Sequence, residues 1–379
     1  MESAVYLALL ELKAARGRFL LMGSVVVLVA ALVGIVSGFA TGLGNDTVSA
    51  LRRLPATHIA FAAGSNSDQF ARSLIDQRAV TGWASEKGIR ATPLGVAITR
   101  GTTDRNVEVD LAAFGVQPGA FTDPGAEDGH RLDAAAPQGI VVSSQLVNAG
   151  VRIGDTLTID RLGIRLKVTG TTGRSSYGHV AVAYMTLDTW RQVRFTTPGA
   201  LTPPAGLPDQ YTAMALNVPA DLRGQVLADA DRRLDTATVA IQDAFAAAPG
   251  YAGERLTMNS IETFLFLIAP LVVGAFFAVW TVQRTPELAL LRAMGASRRR
   301  LLGHTLAQAA VVVATGTAAG AALAAAVGLL VGEKVPFSLP AATLTTTMAA
   351  VVLVGLAGSA FTLRRVTTVD PMTMLGAAR

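Results

Sequence analysis

The sequence predicts a membrane protein with four transmembrane helices, one before and three after a large extracellular α+β domain. Three observations support this fold class. Hydrophobic residues make up 51% of the 379 residues and charged residues only 16%, against about 25% charged in soluble proteins. Four stretches are apolar and long enough to cross a bilayer. Between the first and the second stretch lies a long polar segment with the alternation and turn residues of a folded domain.

The first span is FLLMGSVVVLVAALVGIVSGFAT, residues 19–41, which contains no charge. About 20 apolar residues cross about 30 Å of hydrocarbon. This run is longer than the apolar core of a signal peptide and follows a long lead. We therefore expect an uncleaved anchor, preceded by a cytoplasmic amphipathic lead helix over residues 1–18.

Three more spans follow the domain, at residues 261–283, 301–332 and 341–363. Lys and Arg collect before the first span, in the linker 284–300 and in the tail 364–379. Such clusters mark the cytoplasmic side. The sequence thus predicts a multi-pass protein of the bacterial plasma membrane with both termini in the cytoplasm.

Residues 42–260 are then extracellular, and they carry 20 basic against 21 acidic residues. In segments 91–101 and 106–116, apolar residues alternate as they do in strands. Residues 117–138 are rich in turn residues. Residues 139–173 predict a strand, a short helix, a turn and two strands, and 179–193 predict a strand and a helix. Residues 66–87 predict one or two surface helices, and 221–247 have helical spacing.

The sequence lacks the residues that several functional classes require. The chain has no cysteine, so disulfides, thiolate metal sites and thiol nucleophiles are excluded. It contains no G-x-x-x-x-G-K-[ST] loop, no His/Asp/Glu cluster with metal spacing and no nucleophile–base arrangement. We expect neither catalysis nor an intrinsic cofactor. The basic residues lie at the cytoplasmic membrane face, which predicts contact with membrane lipid and not with nucleic acid.

The linker between the second and third spans, RTPELALLRAMGASRRR, reads as a short amphipathic helix. Thr285 can cap it, Pro286 suits its first turn, and Glu287 complements its dipole. Leu288, Leu291 and Met294 share one face, and Gly295 can end the helix. By itself the pattern also fits a loop helix held at the headgroups by its arginines.

The whole arrangement resembles the permease subunits of the MacB/FtsX superfamily of ABC transporters, the type VII or mechanotransmission proteins. RTPELALLRAMGASRRRLL is similar to the family signature E-(I/L)-A-L-L-R-A-(I/M)-G-A-S, and GIVVSSQLVNAGVRIGDTLTI is similar to its external domain. The end VDPMTMLG resembles the family's D-P-x-x-x-L-R tail, with Gly376 where Arg is common.

This resemblance implies that residues 285–296 form a coupling helix, which docks on a separate ATPase subunit that binds the ATP. The implied assembly is a homodimer of the permease with two ATPase copies. Small residues suit such assemblies: Gly316 and Gly320 form a GxxxG step, which we expect to pack within one protomer rather than between two. The residues expected to couple to the ATPase are Glu287, Leu288, Leu291, Arg292, Met294 and Gly295.

The compact size and the lead sequence resemble the heme-exporting permeases of Gram-positive bacteria, the HrtB type. This implies export of a membrane-partitioned amphiphile, heme foremost. Heme iron is commonly held by His, Met or Tyr, and Glu262 is an ionisable residue at the edge of an apolar span. The candidates for contact with the cargo are Phe39, Tyr177, His179, Tyr211, Tyr251, Met258 and Glu262.

Other interpretations remain open at this point. Tyr251 also fits an interfacial anchor, Met258 a packing residue, His179 a solvated strand end and Glu262 a headgroup contact. The cargo could be a lipid, a peptide or an antibiotic. The chain could also be a signalling permease that activates an extracellular enzyme without transport.

Overall fold

A computed structural model describes residues 16–65, 69–199, 206–283, 294, 297–331 and 335–367. The chain forms two compact units. The central domain is Gly44–Glu254, and the helical unit comprises the described residues on either side. The predicted fold class is confirmed: one long apolar helix precedes an α+β domain and three follow it.

The helices, in chain order, are α1 (Arg16–Thr47), α2 (Ser49–Arg53), α3 (Gln69–Arg72), α4 (Gln77–Ala84), α5 (Ser144–Asn148), α6 (Leu187–Phe195), α7 (Gln225–Leu234), α8 (Ile241–Ala244), α9 (Tyr251–Gln283), α10 (Arg298–Val331) and α11 (Ala341–Thr367). The strands are β1 (His58–Ala62), β2 (Ile75–Asp76), β3 (Arg90–Thr103), β4 (Glu108–Val116), β5 (Asp128–Gly129), β6 (Gly139–Ser143), β7 (Thr156–Ile159), β8 (Arg165–Thr172), β9 (Ser176–Tyr177), β10 (Val180–Thr186), β11 (Gln210–Tyr211), β12 (Ala213–Asn217) and β13 (Thr236–Ala240). Short 3₁₀ turns lie at Ala220–Leu222 and Phe245–Ala247.

The helical unit consists of α9, α10, α11 and most of α1, and each of the four helices is long and apolar enough to cross a membrane. Helices α1 and α9 extend beyond the apolar spans that the sequence predicts, because polar residues at their ends join the same helices. Large apolar side chains cover much of the unit's surface, as lipid contact requires. The most exposed of them include Leu20, Leu28, Leu267, Leu271, Leu329, Leu330 and Leu353.

Close packing at glycines holds the helical unit together. A Cβ at Gly316 would lie 2.8 Å from the Cβ of Val26, and one at Gly320 would lie 2.6 Å from the Cβ of Ala30. The GxxxG step of α10 therefore packs against α1 within the protomer, as predicted. Gly358 of α11 likewise faces the backbone of α9, where its Cβ would lie 2.7 Å from the carbonyl oxygen of Pro270.

The central domain is built on one mixed sheet with the strand order β13-β1-β12-β3-β4-β10-β6-β8-β5. Strands β4 and β10 pair in parallel, as do β6 and β8, and the other pairs along this path are antiparallel. Both faces of the sheet are buried. Along β4, Leu111 and Ala113 belong to one apolar cluster, whereas Ala112 and Phe114 belong to the other.

Most predicted elements of this domain are present. Strands β3 and β4, the series β6-α5-β7-β8, and the pair β10-α6 lie where the alternation places them. The helical prediction for residues 221–247 is corrected, because within this segment it holds only for α7 and α8. Asp235 is left-handed, with φ of 54°, and so ends α7. The β-branched segment after it pairs with β1 as strand β13.

Several predictions fall on residues outside those that the structure describes. These are the lead helix up to residue 15, the tail after residue 367 and nearly all of the coupling segment. Among the coupling residues, Glu287, Leu288, Leu291, Arg292 and Gly295 lie outside the described residues. Met294 is described, and 68% of its surface is exposed.

Candidate functional site

The two ends of the central domain are hydrogen-bonded to one another and to a hairpin of its sheet. We call this group the helix-end cluster: Asp46 and Thr47 at the end of α1, Gly178 and His179 between β9 and β10, and Glu254 in the first turn of α9. All five residues belong to the central domain.

The hairpin positions its histidine through a tight turn. Strands β9 and β10 pair Tyr177 with Val180, which leaves two residues in the turn. Gly178 and His179 have φ of 57° and 68°. A type I′ turn requires positive φ at both central residues, and this turn follows the twist of the strands that it joins. Histidine is among the residues that tolerate this conformation.

The carboxylate of Glu254 joins the three segments of the cluster. One oxygen bonds the Nε2 of His179, and the other accepts the hydroxyl hydrogen of Thr47 at 3.2 Å. The backbone N–H of Gly178 donates to the carbonyl oxygen of Thr47 at 2.9 Å. Since Glu254 lies in the first turn of α9, its charge also complements the helix dipole.

Further bonds hold the end of α1 and the start of α2 against strand β9 and the residues just before it. Asp46 accepts a hydrogen bond from the Nε of Arg174 at 3.0 Å, in a half-buried ion pair. The backbone N–H of Ser176 donates to the hydroxyl oxygen of Ser49 at 2.7 Å. The cluster is therefore fixed from two sides, by the helix ends and by the sheet.

One predicted cargo residue, His179, belongs to this cluster, and a second, Tyr251, lies three residues before Glu254 on α9. The side chain of His179 is 44% exposed, so part of the imidazole is open to solvent. Tyr251 is half-buried at the start of α9. Its ring packs edge-on against Phe245, with the ring centres 6.3 Å apart, and a Cβ at Gly44 would lie 3.8 Å from it.

The other two tyrosine candidates lie in the cores on opposite sides of the sheet. Tyr177 is 2% exposed and packs edge-on against Phe70 and Phe114. Tyr211 is 8% exposed and stacks on Trp190.

The hydroxyl group of Tyr211 is also engaged, since it donates to Asp209 at 3.0 Å. Burial, reinforced by this hydrogen bond, raises the pKa of Tyr211 to about 12. A phenolate for binding iron is therefore disfavoured at this residue.

The remaining candidates lie in the helical unit. Phe39 is 37% exposed and packs edge-on against Phe337 at 5.2 Å between ring centres. Met258 and Glu262 are half-buried on α9. They follow Glu254 at successive spacings of four residues and so share its face of the helix.

Of the five cluster residues, the sequence singled out only His179, and the residue that joins the cluster, Glu254, was not among the candidates. It follows Pro249 and Gly250, which end the preceding segment, and it occupies the first turn of a long apolar helix. That position is a helix-start signal. Its partner Thr47 is 207 residues away in the chain, and no spacing rule connects the two.

The chemistry available here is that of an exposed imidazole oriented by a carboxylate. Such a partner fixes the tautomer and the orientation of the ring. Among the described residues, no group of three or more His, Cys, Asp or Glu side chains could hold a metal ion. The cluster can therefore offer a single axial ligand to a metal that arrives with its own chelator.

Residues 259–371 match the FtsX-like permease C-terminal family. The chain carries an FtsX-like permease domain. The matched segment includes α10, α11 and all of α9 after its second turn.

Full-length relatives agree with this match. Proteins that carry the name hemin transport system permease protein HrtB are similar over 98% of this chain and 99% of their own length, with 22% identity in Staphylococcus haemolyticus and 20% in one strain of Staphylococcus epidermidis. An uncharacterized ABC transporter permease of Mycobacterium tuberculosis is 25% identical over 76% of this chain and 75% of its own. The chain is thus similar over nearly its whole length to proteins named as transport system permeases and over 76% of it to one named as an ABC transporter permease, and its C-terminal part matches the FtsX-like permease family.

Two solved structures are similar to this chain over about half of its length. The extracellular domain of the transporter YknZ from Gram-positive bacteria aligns with 48% of this chain and 92% of that one, at 11% identity and a TM-score of 0.35. The periplasmic region of MacB from Actinobacillus actinomycetemcomitans aligns with 50% and 91%, at 12% identity and a TM-score of 0.37. These TM-scores are too low to establish a shared fold.

Proposed function

We propose that this chain is the membrane subunit of a bacterial ABC exporter that extrudes a membrane-partitioned amphiphile, with heme as the cargo. The observation that carries the proposal is the alignment over nearly the whole chain with permeases named for hemin transport. A separate ATPase supplies the energy, and two copies of each subunit form the transporter.

The helix-end cluster supports heme over other amphiphiles. Heme brings its own macrocycle and needs only axial ligands from the protein. His179 is exposed and oriented by Glu254, and Tyr251 lies at the start of the helix that carries Glu254. In this arrangement Nε2 is bonded to Glu254, so Nδ1 is the nitrogen left for iron unless the carboxylate moves away.

Hemin titration of the purified chain in detergent tests this assignment. We expect a shifted Soret band in the parent protein, and a changed band position or weaker binding in His179→Ala. His130→Ala is the matched control, because His130 is also exposed but lies in the loop after β5. Tyr251→Phe should alter the spectrum, whereas Tyr211→Phe should not, since the ring of Tyr211 is covered by Trp190.

The titration has clear opposing outcomes. A spectrum that the protein leaves unchanged removes heme as the cargo. Equal effects of His179→Ala and His130→Ala remove the helix-end cluster as its site. Lipid, peptide or antibiotic export would then be tested by transport into inverted vesicles.

The orientation in the membrane is the second part of the proposal, with the central domain outside and both termini in the cytoplasm. Because the chain has no cysteine, a single introduced thiol reports its own location. We expect a membrane-impermeant maleimide to label Lys87→Cys in intact cells and Met294→Cys only after lysis. Both parent side chains are exposed, so labelling of both in intact cells would contradict the orientation.

ATPase docking by residues 285–296 is the third part. An apolar helix face can seat in a groove of a partner, so Leu291→Asp with Met294→Asp should abolish co-purification of the ATPase and export. Leu330→Asp is the control, at the other end of α10 and 86% exposed. Intact ATPase binding in the double variant would exclude this docking surface.

A further inference from the structure

The central domain contains a second candidate binding site, separate from the helix-end cluster. A cavity of about 300 Å³ lies between α2, the loop at residues 121–127 and the strands β8 and β10. Its volume is at the lower end of the range for small-molecule sites. Among its lining residues are Arg53, Phe121, Glu127 and Tyr184.

Two opposite charges face this cavity without pairing to each other. A Cβ built on Gly173 would lie 2.8 Å from the Nη1 of Arg53 and 2.9 Å from the Oε1 of Glu127, so the two charged groups are close neighbours. No ion pair or hydrogen bond joins either of them to another described side chain. The third charged residue of the lining, Asp123, is already engaged, because it accepts the backbone N–H groups of Gly119 and Gly125.

One hydroxyl group of the lining has an unused capacity for hydrogen bonding. Thr122 is 2% exposed, and its hydroxyl has no hydrogen-bond partner. A buried polar atom left unpaired costs free energy, and a bound ligand would remove that cost. The hydroxyl groups of Ser175 and Tyr184 bond each other at 2.8 Å in the same wall.

Apolar side chains form another part of the wall. Leu54 is 8% exposed, and Phe121 is half-buried with the guanidinium of Arg90 5.5 Å above its ring. The cavity thus combines one cation, one carboxylate, a free hydroxyl and an apolar side.

We propose that this cavity binds a small zwitterion, a free amino acid with an apolar side chain. Arg53 pairs with the carboxylate of the ligand and Glu127 with its ammonium group. Thr122 supplies a hydrogen bond, and the ligand's side chain packs against Leu54 and Phe121. This site is independent of the cargo proposed above.

The experiment is calorimetric titration of the full chain in detergent with three probes. L-leucine has both charges, leucinamide lacks the carboxylate, and N-acetyl-L-leucine lacks the ammonium group. We expect L-leucine to bind, and each of the other two to bind about ten-fold more weakly or worse, because a charge-assisted hydrogen bond is lost.

Two variants assign each charge to its partner. Arg53→Met should no longer distinguish L-leucine from leucinamide but should still reject N-acetyl-L-leucine. Glu127→Gln should show the opposite pattern. The matched controls are the neighbouring residues, as Arg52→Met and Asp128→Asn, neither of which lines the cavity; both should bind as the parent does.

Thermal melts of all four variants show whether they are folded, and Arg53 and Glu127 are exposed enough for substitution. Absence of L-leucine binding to the parent protein overturns the proposal. So does binding that the variants weaken equally for all three probes.

Discussion

The central domain and the helical unit differ in how closely their backbones approach. Large side chains fill the domain, where Trp83, Trp190 and Phe114 are each completely buried. The helical unit also buries large side chains, such as Phe277, but glycines bring its helix backbones together, as at Gly316 and Gly320. The difference follows from the solvent. Burial of apolar area drives folding in water, whereas lipid is as apolar as leucine, so helices in a membrane associate through close packing.

The largest effect is expected when a core side chain of the domain is shortened. Ile140 on β6 is completely buried, whereas Ile98 on β3 is 49% exposed. We expect Ile140→Ala to lower the free energy of unfolding by about 2–5 kcal/mol, through lost burial and a residual cavity. Urea unfolding of the chain, followed by tryptophan fluorescence, measures it. The same change at Ile98 should cost far less, and equal costs would contradict the packing described.

The opposite substitution tests the helical unit. Gly320→Ala places a methyl group 2.6 Å from Ala30 and 2.7 Å from the carbonyl oxygen of Val27, and overpacking of this kind costs about 1–3 kcal/mol. Gly303→Ala is the control on the same helix, because its Cβ would meet nothing within 4 Å. Thermal inactivation in detergent should show a less stable Gly320→Ala and an unchanged or more stable Gly303→Ala. A reversed order would rule out close packing at Gly320.

The smallest expected effect concerns an ion pair of the domain. Asp155 is 8% exposed and accepts two hydrogen bonds from Arg105, at 2.9 and 2.7 Å. We expect Asp155→Asn to cost about 1–2 kcal/mol near neutral pH, since a charged hydrogen bond is lost. Asp110→Asn is the control, because the pair of Asp110 with Arg100 is more than half exposed and such pairs contribute at most about 1 kcal/mol.

The pH dependence of this pair has a definite sign. The hydrogen bond from Arg105 holds the pKa of Asp155 below its usual value of 3.8. The folded state therefore binds fewer protons than the unfolded state, and the stabilisation is present above about pH 4. It is lost as the pH falls through the lowered pKa. Unfolding curves of the parent and of Asp155→Asn should converge in acid, and a constant difference would contradict this account.

The sequence predicted the domain best where a strand shows alternation or leads into a short helix. It did not predict β1, β12 or β13, because HIAFA, AMALN and TATVA are short and mostly small or apolar on both faces. Strands buried on both sides, as β1 and β12 mostly are, lose the period of two that marks a strand. Strand β13 is only partly buried and falls within residues 221–247, for which a helical spacing was predicted. The four apolar helices needed no such pattern, since length and composition sufficed.

The candidate site was predictable only in part. Residue type and chain position made His179 and Tyr251 candidates for contact with the cargo. The same criteria also selected Tyr177 and Tyr211, which lie in the two cores. Which tyrosine faces outward depends on strand pairing far along the chain. Glu254 and Thr47 could not be connected in advance, because their contact exists only once the sheet and both helix ends are in place.

One consequence of the Thr47–Glu254 hydrogen bond concerns how such chains are assembled in evolution. A module whose entry and exit points touch can be inserted into, or removed from, a helical hairpin without forcing its two helices apart. The stretch from Gly44 to Glu254 meets this condition. Exchange of this stretch for another folded module with adjacent termini would give a chimera whose four apolar helices keep their own packing.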